Sequence, residues 1–144
     1  MQIEPMTIAA YDEVFALWSS MPGIGLSKAD ERQRIAKYLQ RNPQMSFITR
    51  DAGRIVGTVL CGHDGRRGYI YHLAVHPDHR RRRIGSALLE SCLNALKNQG
   101  ILKCHVFVFG ENADGRDFWE AKGWVYRENI GIFSKSTTAC SQSD

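Results

Sequence analysis

Apolar positions along the chain recur with two periods, one helical and one strand-like. Val14, Phe15, Leu17 and Trp18 sit at helical spacing within Tyr11 to Trp18. Ile35, Tyr38 and Leu39 form the apolar stripe of a second helix running to about Gln40. Ser27 is the expected N-cap of that helix, with Asp30 and Glu31 in its first turn, and Asn42-Pro43 ends it. The fullest stripe is Ile84, Ala87, Leu88, Ser91, Cys92, Ala95 and Leu96, at offsets 0, 3, 4, 7, 8, 11 and 12, with Gly100 as the stop. Strand character appears at Ile3 to Met6, Phe47 to Arg50, Arg54 to Gly62 and Tyr69 to Val75, with turns at Asp51-Ala52-Gly53 and Asp64 to Gly68. Lys103 to Phe109 is expected to be a central strand, because Val106 to Phe109 is apolar on both faces. A short helix starts at Asn112 or Asp114 and ends near Lys122-Gly123, and Trp124 to Arg127 and Ile130 to Ser134 are expected to close as an antiparallel hairpin. The order β-α-α-β-β-β-α-β-α-β-β predicts one mixed α/β domain over residues 1–135, followed by a small polar tail, 136–144, expected to be disordered.

Composition narrows the class. At 144 residues, 43% hydrophobic and 24% charged, the chain is sized and balanced for one globular core. No apolar run approaches the roughly 20 residues needed to span a bilayer. Met1-Gln2-Ile3-Glu4-Pro5 has neither a basic nor an apolar leader region, so a cytoplasmic setting is expected. Cys61, Cys92, Cys104 and Cys140 form no CxxC pair and no Cys/His cluster, so no metal site is expected. The formal net charge of +4 equals what Arg80 to Arg83 supply by themselves. A charge excess gathered at one point indicates a specific anionic ligand more than a general nucleic-acid coat.

That point lies between the strand ending at Val75-His76-Pro77 and the helix opening at Ile84. The first-turn amides of a helix point outward, and its dipole favours negative charge there. Strand, basic turn and helix N-terminus together make an anion site.

Three segments resemble the GNAT superfamily of acyl-CoA-dependent N-acyltransferases, from about Ile3 to Lys135. Arg80-x-x-Arg83-x-Gly85 falls where the family has Arg/Gln-x-x-Gly-x-Gly/Ala. Asn112-x-x-Gly115-x-x-Phe118-Trp119-Glu120-x-x-Gly123-Trp124 is similar to its Asn-x-x-Ala-x-x-aromatic segment, and Val56-Gly57 to its Val-Gly on strand three. Gly62 to Tyr71 resembles a branch of small bacterial members with unassigned substrates. The resemblance implies a GNAT-like fold: a central mixed, mostly antiparallel sheet, splayed between strands 4 and 5, with about four helices. It implies acetyl-CoA as cosubstrate. The pantetheine arm would run along Leu73, Ala74 and Val75. The pyrophosphate would sit on the turn of Arg80, Arg81, Arg82 and Arg83 and on the amides through Gly85 and Ser86. Asn112 would bond a pantetheine amide, and Trp119 would pack along the arm. Other members carry a glycine at the place of Arg83, and many a tyrosine, as general acid, at the place of Trp119.

The resemblance implies transfer of an acetyl group to a primary amine of a small molecule or protein, by direct attack in a ternary complex. Proton acceptors are sought on strand four. Strict alternation puts Tyr69, Tyr71 and Leu73 on one face and Ile70, His72 and Ala74 on the other. Tyr69 and Tyr71 stand where some relatives hold the base, though a phenol is a poor base at neutral pH, and His72 is of the residue type suited to the role but faces the other way on this reading. His63 and Asp64 are further candidates. Trp18, Ile24, Arg127 and Phe133 are placed near the acceptor by topology. Two other classes stay open: a non-catalytic CoA-binding module, which the indole of Trp119 favours, and a basic nucleic-acid-binding domain, which no aromatic platform supports. A homodimer stays open as well.

Overall fold

The computed structural model describes residues 2–138, and the chain packs as two units, Met1–Phe107 and Val108–Asp144. The first unit runs β1 (Ile3–Pro5), α1 (Tyr11–Ser19), α2 (Arg32–Arg41), β2 (Phe47–Asp51), β3 (Arg54–His63), β4 (Gly68–Val75), α3 (Ile84–Asn98) and β5 (Cys104–Val106). The second holds α4 (Ala113–Ala121).

The five strands form one sheet in the order β1-β2-β3-β4-β5. The first three pairings are antiparallel and the last, β4 with β5, is parallel. A parallel pair needs a crossover, and α3 supplies it. The mixed, mostly antiparallel sheet and the four α-helices among the described residues agree with the expected fold class.

The ten-residue β3 is the spine, apolar nearly throughout because both its faces are covered. On one face Val14, Leu17 and Trp18 of α1 and Ile35 of α2 close over Ile48, Ile55, Leu60 and Ala74. On the other, the α3 stripe seats Ile84, Leu88, Cys92 and Leu96, all buried. Burial of each such Leu contributes roughly 1.5–3 kcal/mol. Two glycines let α3 approach. A Cβ on Gly57 would stand 3.0 Å from Ile84 Cγ2, and one on Gly68 only 2.6 Å from Leu96 Cδ1.

Three expectations need correction. Ser27 does not cap α2. It caps a 3-10 turn, Lys28–Asp30, through a capping box with Asp30, while Glu31 is extended and α2 begins at Arg32. Strand five is shorter than Lys103 to Phe109. It pairs only over Cys104–Val106, and Phe107 instead stacks on Tyr69, with ring centroids 6.0 Å apart. The final hairpin is absent among the described residues, where no strand follows β5. Trp124 N–H is spent on Trp119 C=O, closing α4, and Val125, Ile130, Ile132 and Phe133 stay exposed. With no apolar face to cover, a two-stranded ribbon is marginal. Residues 139–144 of the expected tail lie outside the described residues.

Candidate active site

β4 changes character after its third residue. Gly68, Tyr69 and Ile70 pair with Cys104, His105 and Val106 of β5 on one side and with β3 on the other. From Tyr71 onward no β5 partner follows, and β5 itself has ended. The two parallel strands part there, leaving the Tyr71 to Val75 edge out of the β5 ladder.

A β-bulge lies at the parting. Thr58 pairs with Ala74, but Leu60 pairs with Tyr71, so β4 spends one residue more than β3. His72 absorbs it with a left-handed φ of 51°. This overturns the strict alternation expected along β4. Tyr71 packs edge-on against Tyr38 of α2, and His72 packs against Trp18 of α1 (ring centroids 4.8 Å apart), so neighbouring residues share the α1/α2 face. Ala74 joins the same core. Nothing in the local sequence, which has no glycine at this point, announces the bulge.

The bulge delivers His72 to a buried carboxylate. His72 Nε2 lies 2.7 Å from Asp30 Oδ1, with Asp30 only 6% exposed. A carboxylate accepts, so Nε2 carries the proton and donates. Asp30 Oδ2 accepts from Ser27 N–H at 3.0 Å, and the Asp30 carbonyl accepts from the Tyr11 hydroxyl at 2.6 Å. Trp18 Nε1–H donates to Thr58 Oγ1 at 3.0 Å. Trp18 is fully buried, so it supports the site from beneath and does not line a pocket. The sequence pattern places Asp30 in the first turn of a helix, and its pairing across 42 residues leaves no local signature.

After Val75, the turn Pro77–His79 is capped by His76, whose Nδ1 accepts Asp78 N–H at 3.2 Å. His79 Nε2 then donates to Asp51 Oδ2 at 2.8 Å, tying this turn to the β2–β3 turn. That hydrogen bond, more than any other cause, holds the Asp51 carboxyl below the usual carboxylate range. The four arginines divide. Arg80 Nε donates to Val75 C=O, and Arg82 stands 3.8 Å from Asp51 Oδ2. Arg81 and Arg83 both take left-handed backbone, with φ of 66° and 60°. Arg83 is the N-cap of α3, and no side chain caps that helix. Its first-turn amides are therefore left for an outside acceptor, and backbone with left-handed residues between others turns successive N–H groups inward as an anion nest. The chain fits a phosphate group here by its main chain, with the Arg81 and Arg83 side chains exposed beside it.

The remaining candidates fall in separate places. His63 Nδ1 accepts Gly65 N–H, and Asp64 Oδ1 accepts the N–H groups of Arg67 and Arg66, which lower its pKa. Both side chains are thus committed to the β3–β4 turn. They still border a cavity of about 260 Å³ with Tyr38, Arg41, Asn42, Tyr69 and Tyr71. Burial raises the Tyr71 pKa, so its phenol stays protonated at neutral pH and is a poor base. In the second unit, Asn112 Oδ1 accepts Gly115 N–H at 2.9 Å and caps α4, which leaves its NH₂ group for another partner. Trp119 packs edge-on against Phe118 and Trp124. No helix among the described residues is long and apolar enough to cross a membrane.

The sequence was also compared with known proteins. The model of the acetyltransferase (GNAT) family matches residues 11–124. An acetyltransferase of Sodalis glossinidius (strain morsitans) is 29% identical over 125 residues, 87% of each chain. An acetyltransferase of Yersinia enterocolitica is 31% identical over 112 residues, covering 78% of this chain and 79% of the relative. Among solved structures, an aminoglycoside antibiotic 6'-N-acetyltransferase from Acinetobacter haemolyticus superposes with a TM-score of 0.77 at 16% identity, over 96% of this chain and 100% of that one. The PaiA N-acetyltransferase from Thermoplasma acidophilum, solved with coenzyme A, gives 0.75 at 14% identity, over 90% and 92%. These two likenesses concern the fold. A family match across most of the chain, on a sheet that parts beside an uncapped helix N-terminus, leads to one conclusion: this chain belongs to the GNAT acetyltransferase family and is an acyl-CoA-dependent N-acetyltransferase.

Proposed function

We propose that residues 1–135 act as one domain that moves the acetyl group of acetyl-CoA to a primary amine of a small molecule or protein, by direct attack in a ternary complex. The observation that carries this reading is the β4 edge left out of the ladder from Tyr71 to Val75, which leads to the uncapped, arginine-flanked start of α3. The peptide groups of Leu73, Ala74 and Val75 offer the pantetheine amides a strand-like partner. The turn from Arg80 through Arg81, Arg82 and Arg83, with the amides of Gly85 and Ser86, takes the pyrophosphate, the main chain defining the site and the side chains adding charge. Asn112 and Trp119, in the second unit, are the residues that the family resemblance assigns to the arm. The amide of Ala74 or Val75 stabilises the oxyanion of the tetrahedral intermediate, and Tyr71 and His72 border the reacting group. Much of the acceleration then comes from holding amine and thioester together. With indole at Trp119 in place of a phenol, the sulfur leaves as a thiolate, which a thiol pKa of about 8.5 permits near neutrality, and takes its proton from water.

Titration calorimetry with acetyl-CoA, followed by free-thiol release in the presence of amines, tests this reading. Binding with release of coenzyme A thiol only when an amine is present is the expected result. Binding without release across the panel would leave a non-catalytic CoA-binding module. Salt-dependent binding to DNA with no acetyl-CoA affinity would replace the reading altogether.

A further inference from the structure

We infer that Asp30 and His72 form a working pair, in which His72 Nδ1 accepts a proton from the attacking amine and Asp30 is the positioning residue that fixes the imidazole. The inference rests on the N-acetyltransferase reading above.

Three observations carry it. First, the residue is held at three points: Nε2 by Asp30 Oδ1 at 2.7 Å, the ring edge-on by Trp18 with centroids 4.8 Å apart, and the backbone carbonyl by Thr58 Oγ1 at 3.4 Å. With Nε2 donating to the carboxylate, Nδ1 is the nitrogen left with a lone pair. Second, His72 sits at the bulge where β4 and β5 part, on strained left-handed backbone that a β-strand residue adopts only at a cost. Third, the capping box explains only half of Asp30. Its Oδ2 serves Ser27 N–H, and its Oδ1 is turned to His72. The turn Lys28–Asp30 lies between α1 and α2, so one buried carboxylate couples that connection to the ring.

The step balances as follows. An ammonium acceptor loses one proton to Nδ1, and the freed lone pair attacks the thioester carbon, forming C–N as the C=O π pair moves to oxygen. The oxygen pair returns, C–S breaks, and sulfur leaves with its bonding pair. Nitrogen loses its second proton, sulfur gains one, and imidazolium passes its own to water. R–NH3+ and acetyl-CoA thus give the acetamide, coenzyme A thiol and one H+.

The test uses the full chain, Asp30→Asn, His72→Gln and the double variant. Acetyl-CoA affinity is measured by calorimetry, and turnover with three probes: a peptide with N-terminal alanine, spermidine and kanamycin. The ring tautomer of His72 is read by 15N NMR, which requires no acceptor. Asn keeps the volume of Asp30 and an acceptor for Ser27 N–H. Each single variant should lose roughly 100-fold or more in kcat, with acetyl-CoA affinity within about threefold and the double variant no worse than the worse single. The wild-type ring should be the Nε2–H tautomer, and Asp30→Asn should mix the two. Turnover in Asp30→Asn within about threefold of wild type, a fall in acetyl-CoA affinity matching the fall in kcat, or an Nδ1–H wild-type ring would each overturn the pair. If the wild type binds no acetyl-CoA, the parent reading falls and takes the pair with it. If the wild type binds acetyl-CoA and carries an Nδ1–H ring, only the pair falls.

Discussion

The two halves of β4 obey different rules. Gly68 to Ile70 is ordinary sheet interior: hydrogen-bonded on both sides, with regular backbone and Ile70 buried. Tyr71 to Val75 has a ladder on one side only, a bulge, a histidine on left-handed backbone and a buried carboxylate beside it. The first half follows packing and pairing. The second departs from both within one residue of where β5 ends. Local rules are broken where a site has to be built, and the surrounding core bears the cost.

Substitutions can break this comparison, the most disruptive first. Trp18→Ala removes the buried indole that supports the bulge, with its hydrogen bond to Thr58. It should cost about 3–5 kcal/mol in urea unfolding, and any folded remainder should lose turnover before it loses acetyl-CoA affinity. Gly68→Val attacks the paired half by forcing a side chain into Leu96. It should cost about 1–3 kcal/mol, with acetyl-CoA affinity of the folded protein unchanged. If acetyl-CoA affinity fell as well, the two halves would not be separable.

Arg83→Gly acts beyond the parted half and in the opposite direction. It relieves left-handed backbone, so stability should rise by about 1 kcal/mol, with acetyl-CoA binding equal or tighter by calorimetry. A large loss of affinity would make the Arg83 side chain a direct ligand. Asp51→Asn is the mildest. Its carboxyl is held below the ordinary value of about 4 by His79. The pair therefore contributes stability above about pH 4 and gives it up as pH falls through the lower folded value. Acid unfolding followed by circular dichroism should show the variant losing less stability on acidification than wild type, the two curves meeting at the lowest pH.

Much of this architecture was legible in the residues. The α3 stripe, the β3 run and the strand–turn–helix around Arg80 to Arg83 carry their periods openly, because each packs one face or two against a core. The elements of the proposed anion site were legible for the same reason: charge, proline and helix start are neighbours in sequence. The His72–Asp30 pair was not. It depends on a bulge that no glycine marks and on a contact across 42 residues. The expected hairpin failed in the opposite way. Val125, Ile130, Ile132 and Phe133 have the right spacing, but the pattern records only what a segment is able to bury, and these side chains remain exposed.

The short seam between β4 and β5 has a consequence for assembly. β2, β3 and β4 are joined by tight turns, so their ladders form among near neighbours in sequence. The three parallel pairs from Gly68↔Cys104 to Ile70↔Val106 must wait until the whole of α3 has been laid down between them. Like the three β1–β2 pairs, which close a longer stretch of chain, they set few hydrogen bonds against a long closure. The mouth of the proposed cofactor groove should therefore be among the last parts of the sheet to close in refolding and among the first to exchange its amides in the native state. If acetyl-CoA enters at this seam as proposed, its binding should add most to amide protection there.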